Sequence, residues 1–171
     1  MKIKQFVKEW VIPLVIEILL VFMFIKFVAF IVFVPTGSMI PTIDEISVLV
    51  ATRVYNPESS IERGDIVAFE SDELNKVLIK RCVGLPGDTI ELDENGKMTL
   101  NGKPFEEAYV VNQEATSGEF KVPEDCYLFL GDNRDNSIDA RYWDDPYIEG
   151  DKIVGEARFT LYPFRNFGLL K

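Results

Sequence analysis

The chain has 171 residues, 47% of them hydrophobic, and 28 acidic side chains against 18 basic ones give a net charge of −10. That size accommodates one membrane anchor and one extramembrane domain with a packed core, and that charge excludes a nucleic-acid partner, which needs clustered Lys and Arg. Histidine is absent, which excludes a Ser-His-Asp triad, a Cys-His dyad and His-ligated zinc or haem, so a hydrolase of this composition takes its base from a carboxylate, a lysine or a terminal amine.

Lys2, Lys4 and Lys8 precede an apolar run from Val11 to Val34, interrupted by Pro13, Glu17 and Lys26. As a helix this run would be about 36 Å long, enough to cross a hydrocarbon core of about 30 Å, with Pro35 as its stop. It is long for a secretory signal and ends in Phe33 and Val34 without a small-x-small cleavage site, so we read an uncleaved anchor. The lysines place its N-terminus in the cytoplasm and the rest of the chain on the far side. The expected organisation is a short cytoplasmic N-terminus over residues 1–10, a transmembrane anchor over 11–34 and an extracytoplasmic β-rich domain over 35–171. Charge divides in the same place: the 14 Lys and Arg beyond Pro35 face 26 Asp and Glu. Glu17 and Lys26 fall on opposite faces of a helix and cannot pair with each other.

Beyond Pro35 the pattern changes to short runs rich in Val, Ile, Phe and Tyr. Strands are expected near Ile46–Val54, Asp65–Phe69, Val77–Val83, Thr89–Leu92, Lys97–Leu100, Tyr109–Val111, Cys126–Leu130 and Ile153–Leu161. Asn95-Gly96 and Asn101-Gly102 are hairpin signals, Pro86-Gly87 has type II turn chemistry, and Asn112–Gly118 reads as a loop. The fold class that follows is mainly β: twisted antiparallel sheets, barrel-like, behind one N-terminal transmembrane helix. Cys82 and Cys126 are too few for a disulfide framework and lack metal-ligand spacing; one disulfide stays open for a body outside the cytoplasm, and small buried thiols are the preferred reading. No metal or cofactor is implied.

Three segments carry chemistry: Pro35-Thr36-Gly37-Ser38-Met39-Ile40-Pro41-Thr42, Lys80 to Asp88, and Gly131 to Arg141. Ser38 lies after a glycine and between prolines, which presents a hydroxyl beside open space, although a lone Gly-Ser between prolines is ordinarily a turn serine. On a strand Lys80 points the same way as Leu78 and Cys82. Burial there disfavours its ammonium and leaves a neutral amine able to accept a proton, where an isolated lysine would merely guard an edge or snorkel. The third segment alternates charges behind an apolar strand, which suits a hydrogen-bonded network supporting a site more than a solvated loop.

Taken together, these segments resemble the conserved boxes of bacterial type I signal peptidases, membrane-anchored serine proteases with a Ser-Lys dyad. Pro35 to Thr42 is similar to their P-[ST]-x-S-M-x-P-T box, Lys80 to Asp88 to K-R-V-x-G-x-P-G-D, and Gly131 to Arg141 to G-D-N-R-x-x-S-x-D-S-R. Arg63-Gly64-Asp65-Ile66-Val67 is similar to a fourth, weaker box. The resemblance implies Ser38 as nucleophile and Lys80 as general base. It implies an oxyanion hole from the Ser38 N–H and the Thr36 hydroxyl, and Ser137 as the residue orienting Lys80. Arg81, Asp132, Arg134, Asp139 and Arg141 would support the site, with Asp132 paired to Arg81 and Asp139 to Arg141. Val34, Met39, Leu78 and Ile79 would line the substrate pockets. It departs at Ala140, where the family usually has Ser, and at Cys82, where it usually has Val. The implied partners are signal peptides of secreted preproteins, cut after Ala-x-Ala-like sites, and membrane lipid around a single span of the cytoplasmic membrane, close to the export translocon. A self-cleaving repressor-type Ser-Lys protease would lack the anchor and the Gly-Asp-Asn-Arg segment, and a catalytically dead binding domain would not need Ser38, Lys80 and Ser137 together.

Overall fold

The structure is a computed structural model and describes residues 3–170. Helix α1 runs from Ile3 to Phe27, long and apolar enough to cross a membrane, and none of the other described residues covers it. Ahead of Pro13 it carries one wider turn, Val7–Val11, in which the Ile12 N–H reaches back five residues to the Val7 carbonyl. Proline has no N–H to offer the preceding turn, and the wider turn is a common accommodation.

The apolar run expected as a single helix to Val34 is divided. The helix ends at Phe27, and Ala29–Val34 forms strand β1, antiparallel to β2, Ser47–Arg53, in unbroken register from Ala29↔Thr52 to Val34↔Ser47. An apolar run has no periodicity to tell helix from strand. Its last residues are aromatic and β-branched, which suit a ladder, and β2 supplies a partner at every position. The carbonyls orphaned at the helix end are captured by the body: Tyr55 Oη donates to Phe27 O at 2.9 Å and Arg53 N to Val28 O at 2.9 Å. The junction is thus fastened without a capping glycine.

The remaining strands are β3 (Ile66–Ser71), β4 (Lys76–Gly84), β5 (Thr89–Leu92), β6 (Met98–Leu100), β7 (Lys103–Phe105), β8 (Gly118–Lys121), β9 (Cys126–Leu130), β10 (Tyr147–Glu149), β11 (Ile153–Tyr162) and β12 (Gly168–Leu169). The larger sheet has the order β1-β2-β11-β3-β4-β9-β10, with β12 also on β11; the smaller has the order β7-β6-β5-β8. All their ladders are antiparallel. The β6–β7 hairpin turns on Asn101 and Gly102, both at positive φ (49° and 74°) as a two-residue turn with the strands' twist requires.

The sheets share one core. Ile90, Leu92, Met98 and Phe120 of the small sheet meet Cys82, Val83, Leu128 and Phe129 of the large one, and Phe69 stacks on Phe129 with ring centroids 4.4 Å apart. A second cluster, with Val34, Met39, Ile43, Leu49 and Ile79, lies under β1 and the segment that follows it. Each such buried side chain contributes about 1.5–3 kcal/mol relative to exposure. The strand expected at Tyr109–Val111 is absent. Residues 106–117 instead cross from β7 to β8 as an extended strap without ladder partners, because their side chains bond to the loop after β9. Four short strands, β7, β8, β10 and β12, were not expected from the sequence.

Candidate active site

Ser38 reaches its place on the turn that leaves β1, and Lys80 from the middle of β4, opposite Val67 of β3. Both are nearly buried, and Lys80 Nζ lies 2.5 Å from Ser38 Oγ. Burial lowers the Lys80 ammonium from 10.5 to about 8; Asp139 opposes this, Lys76 adds to it, and Asp132 opposes it more weakly. Near neutral pH a useful fraction of this amine is therefore uncharged and able to accept a proton from the hydroxyl beside it.

The pair opens into a cleft of about 550 Å³. One wall is β1 and the segment after it, from Val32 to Ser38; the other is β4 from Lys76 to Lys80, and Asp135–Ile138 closes an end. Val34, Leu78 and Ile79 line it. Met39, expected on the wall, does not: it is fully buried in the cluster beneath the cleft with Val34 and Ile79. On the turn after β1 the side chains of Ser38 and Met39 diverge, the hydroxyl to the cleft and the thioether to the core. Thr36 is on the cleft wall and exposed. Ser137 is also on the wall and buried, and its hydroxyl has no hydrogen-bond partner among the described residues. A bond from Ser137 to Lys80 is thus not made in this conformation. Gly131 is where Ser38 and Ser137 come close: a Cβ there would stand 2.6 Å from Ser38 O.

Behind the cleft are three buried ion pairs. Arg81 holds Asp132 through two bonds, Nε to Oδ1 at 2.8 Å and Nη2 to Oδ2 at 2.6 Å, and donates to Gly64 O at 2.6 Å. Thr42 Oγ1 donates to the same Asp132 at 2.5 Å, which ties the Ser38 segment to the network. Asp139 accepts from Arg141 Nε at 2.8 Å and from Gly131 N at 2.9 Å. Arg134 donates to Gly131 O at 2.9 Å and pairs with Glu107 at 2.5 Å. Ala140 is buried in the core, where the larger hydroxylated residue is not needed to fill space.

Several residues of this network had no role assigned from the sequence. Glu107, Tyr109, Asn112, Glu114 and Thr116 of the strap each touch it: Tyr109 lies 4.1 Å under the Arg81 guanidinium and donates to Glu107, Asn112 donates to Asn133, and Glu114 and Thr116 accept from Arg141. Asn133 in turn donates to Gly37 O and Ser38 O, both at 3.0 Å. Asn133 stands inside a segment singled out by its charge pattern. The strap residues carry no local signal, since their partners are distant in sequence.

The family model described as signal peptidase, peptidase S26, matches residues 7–162. A signal peptidase I of Leptolyngbya laminosa is 35% identical over 153 residues, covering 84% of this chain and 74% of its own. Signal peptidase I P of Bacillus subtilis subsp. natto is 33% identical over 171 residues, covering 94% of this chain and 91% of its own. Among solved structures, the crystal structure of a signal peptidase I from Enterococcus faecalis V583 is 30% identical, covers 57% of this chain and 96% of its own, and superposes with a TM-score of 0.48.

Proposed function

Because the chain belongs to the signal peptidase family, peptidase S26, serine endopeptidases that cut signal peptides from preproteins, we propose that Ser38 is its nucleophile and Lys80 its general base. The observation that carries this reading is the 2.5 Å approach of Lys80 Nζ to Ser38 Oγ in a buried site that lowers the lysine to about 8. The uncharged amine takes the hydroxyl proton as Oγ attacks the scissile carbonyl. The resulting oxyanion faces the Ser38 N–H and the Thr36 hydroxyl, and one such donor is typically worth about 2.7–4 kcal/mol in the transition state. The Lys80 ammonium then protonates the departing amine, which leaves an acyl ester on Ser38. A water deprotonated by Lys80 releases it, and the dyad is restored.

The substrate segment runs extended along the cleft and pairs its backbone with an exposed strand edge, sending alternate side chains into the wall. Val34, Leu78 and Ile79 leave shallow apolar room, which suits small residues at alternate positions, the Ala-x-Ala pattern. Ser137 orients Lys80 when substrate is bound. Helix α1 spans the cytoplasmic membrane once, with Lys4 and Lys8 on the cytoplasmic side and the β-domain outside, beside the export translocon. The anchor holds the cleft at the surface where the apolar substrate segment emerges and raises its local concentration.

The test is cleavage of a labelled preprotein with an Ala-x-Ala site by the detergent-solubilised chain, beside Ser38→Ala and Lys80→Ala whose folding is checked by circular dichroism. The reading expects cleavage at that site by the wild type and by neither variant. Equal cutting by Lys80→Ala would sink the lysine's role, and an inert wild type would sink the substrate.

A further inference from the structure

We infer that Asn133 is a positioning residue that brackets the nucleophile, and that Asn112 of the strap sets the direction in which its amide donates. The inference rests on Ser38 being the nucleophile. Asn133 donates from Nδ2 to Gly37 O and from its backbone N–H to Ser38 O, both at 3.0 Å, and it is buried. These two carbonyls belong to the peptide planes on either side of the Ser38 Cα. In a planar trans peptide the N–H points opposite to the C=O. Holding Gly37 O on the Asn133 side therefore turns the Ser38 N–H away from it, and holding Ser38 O fixes the second plane. Ser38 is thereby restrained in both backbone torsions, and with Oγ held by Lys80 its N–H and hydroxyl keep one mutual geometry.

The direction of the Asn133 amide is settled by its other neighbour. Asn112 Nδ2 donates to Asn133 Oδ1 at 2.8 Å, and the Asn112 carbonyl accepts from Asp135 N at 3.1 Å. A side-chain amide whose oxygen is already bonded to a donor must present its nitrogen to the Gly37 carbonyl. Aspartate at 133 could accept from Asn112 but would turn a carboxylate toward Gly37 O. Asn133 does not line the cleft, whereas Asp135 and Asn136 do. It acts on the reaction through Ser38 and touches neither substrate nor Lys80.

The experiment compares wild type with Asn133→Ala, Asn133→Asp and Asn112→Ala in the full chain, by preprotein cleavage and by amide hydrogen exchange. Asn101→Gly is the control for stability, since Asn101 also makes two side-chain bonds, to Thr89 N and Asp88, at a turn away from the cleft. The position 133 variants should lose about 10²-fold in kcat, the scale of a small misplacement of reacting groups. Their KM and the midpoint of the pH profile should stay unchanged. Exchange of the amides of Ile40 and residue 133, which donate to Gly37 O and Ser38 O, should rise about tenfold as the bracket loosens. Asn112→Ala should show the same pattern, weaker, and keeps the test alive if position 133 does not tolerate change. Asn101→Gly should lower Tm and leave kcat alone. A kcat within threefold of wild type at position 133, or unchanged exchange at the amides of Ile40 and residue 133, overturns the inference. Exchange decides the clamp even if the wild type cuts no preprotein, an outcome that counts against the functional reading instead.

Discussion

Behind the cleft Arg81, Arg134 and Arg141 of the large sheet and its loops are buried against Asp132, Asp139 and, from the strap, Glu107, none of the six side chains more than 4% exposed. The small sheet gives the core Ile90, Leu92, Met98 and Phe120 and keeps its ion pair, Lys121–Glu119, in solvent. A buried ion pair is often no better for stability than apolar residues of the same volume. Both partners of an ion pair are this deeply buried in one place only among the described residues, where loops must hold a fixed shape beside a cleft. Charge-assisted bonds are directional and apolar contacts are not. The small sheet builds core volume; the network behind the cleft builds geometry.

The sharpest way to test that division is at Lys80, where function and stability should pull apart. Lys80→Met should cut activity by about 10⁴-fold or more, as loss of a dyad member does, and yet stabilise the fold at pH 7 by about 1–3 kcal/mol. The sign follows from linkage. A lysine held near 8 in the folded chain and at 10.5 unfolded binds its proton more weakly when folded, so it costs stability at every pH below about 8. The cost is relieved as pH rises from about 8 to 10.5, and the advantage of Lys80→Met in urea unfolding should shrink over that window. A variant less stable than wild type at pH 7 would mean that the Ser38 contact outweighs the burial.

Next in size is removal of one member of a buried pair. Asp132→Ala leaves the Arg81 guanidinium buried and strips Thr42 of its acceptor, and about 3–5 kcal/mol should be lost. Lys121→Ala in the small sheet, at an exposed pair, should stay within about 0.5 kcal/mol. Ile90→Ala, by contrast, should cost about 2–5 kcal/mol through its cavity while kcat per folded molecule stays at the wild-type value. Denaturant midpoints and active-site titration separate these outcomes. A loss of kcat in Ile90→Ala would erase the distinction between the two regions.

The same division decides what could be read from the sequence. Thr89–Leu92 and Cys126–Leu130 were expected as strands and are strands, because alternation and turn residues are local. Ser38, Lys80 and the charged residues of the third segment stood out because their types are unusual beside apolar strands. The break at Phe27 was hidden, since an apolar run satisfies a membrane and a ladder equally well and only pairing with β2 decides. The strap was hidden as well. Tyr109 looks like a strand residue by propensity, and it is drawn out of any ladder by Arg81 and Glu107. Asn133 gave its position but not its grip on Gly37, 96 residues away.

The smallest expected effect concerns the charges that face Lys80. Rate should rise with pH through a midpoint near 8, because in the proposed mechanism only the uncharged amine accepts the Ser38 proton. Burial is the main cause, and the charged groups act on both sides: Asp139 and Asp132, buried, pull the midpoint up, while Lys76, exposed on the cleft wall, and more weakly the buried Arg141 push it down, so Lys76 is the contributor open to solvent. Lys76→Gln should therefore move the midpoint upward and lower the rate at pH 7, with the high-pH plateau unchanged. Added salt should do the same in the wild type, since it screens an exposed charge far more than buried ones, and should do little in Lys76→Gln. A midpoint that stays put in both experiments would assign the lowering to burial and leave Lys76 with no part in tuning the base.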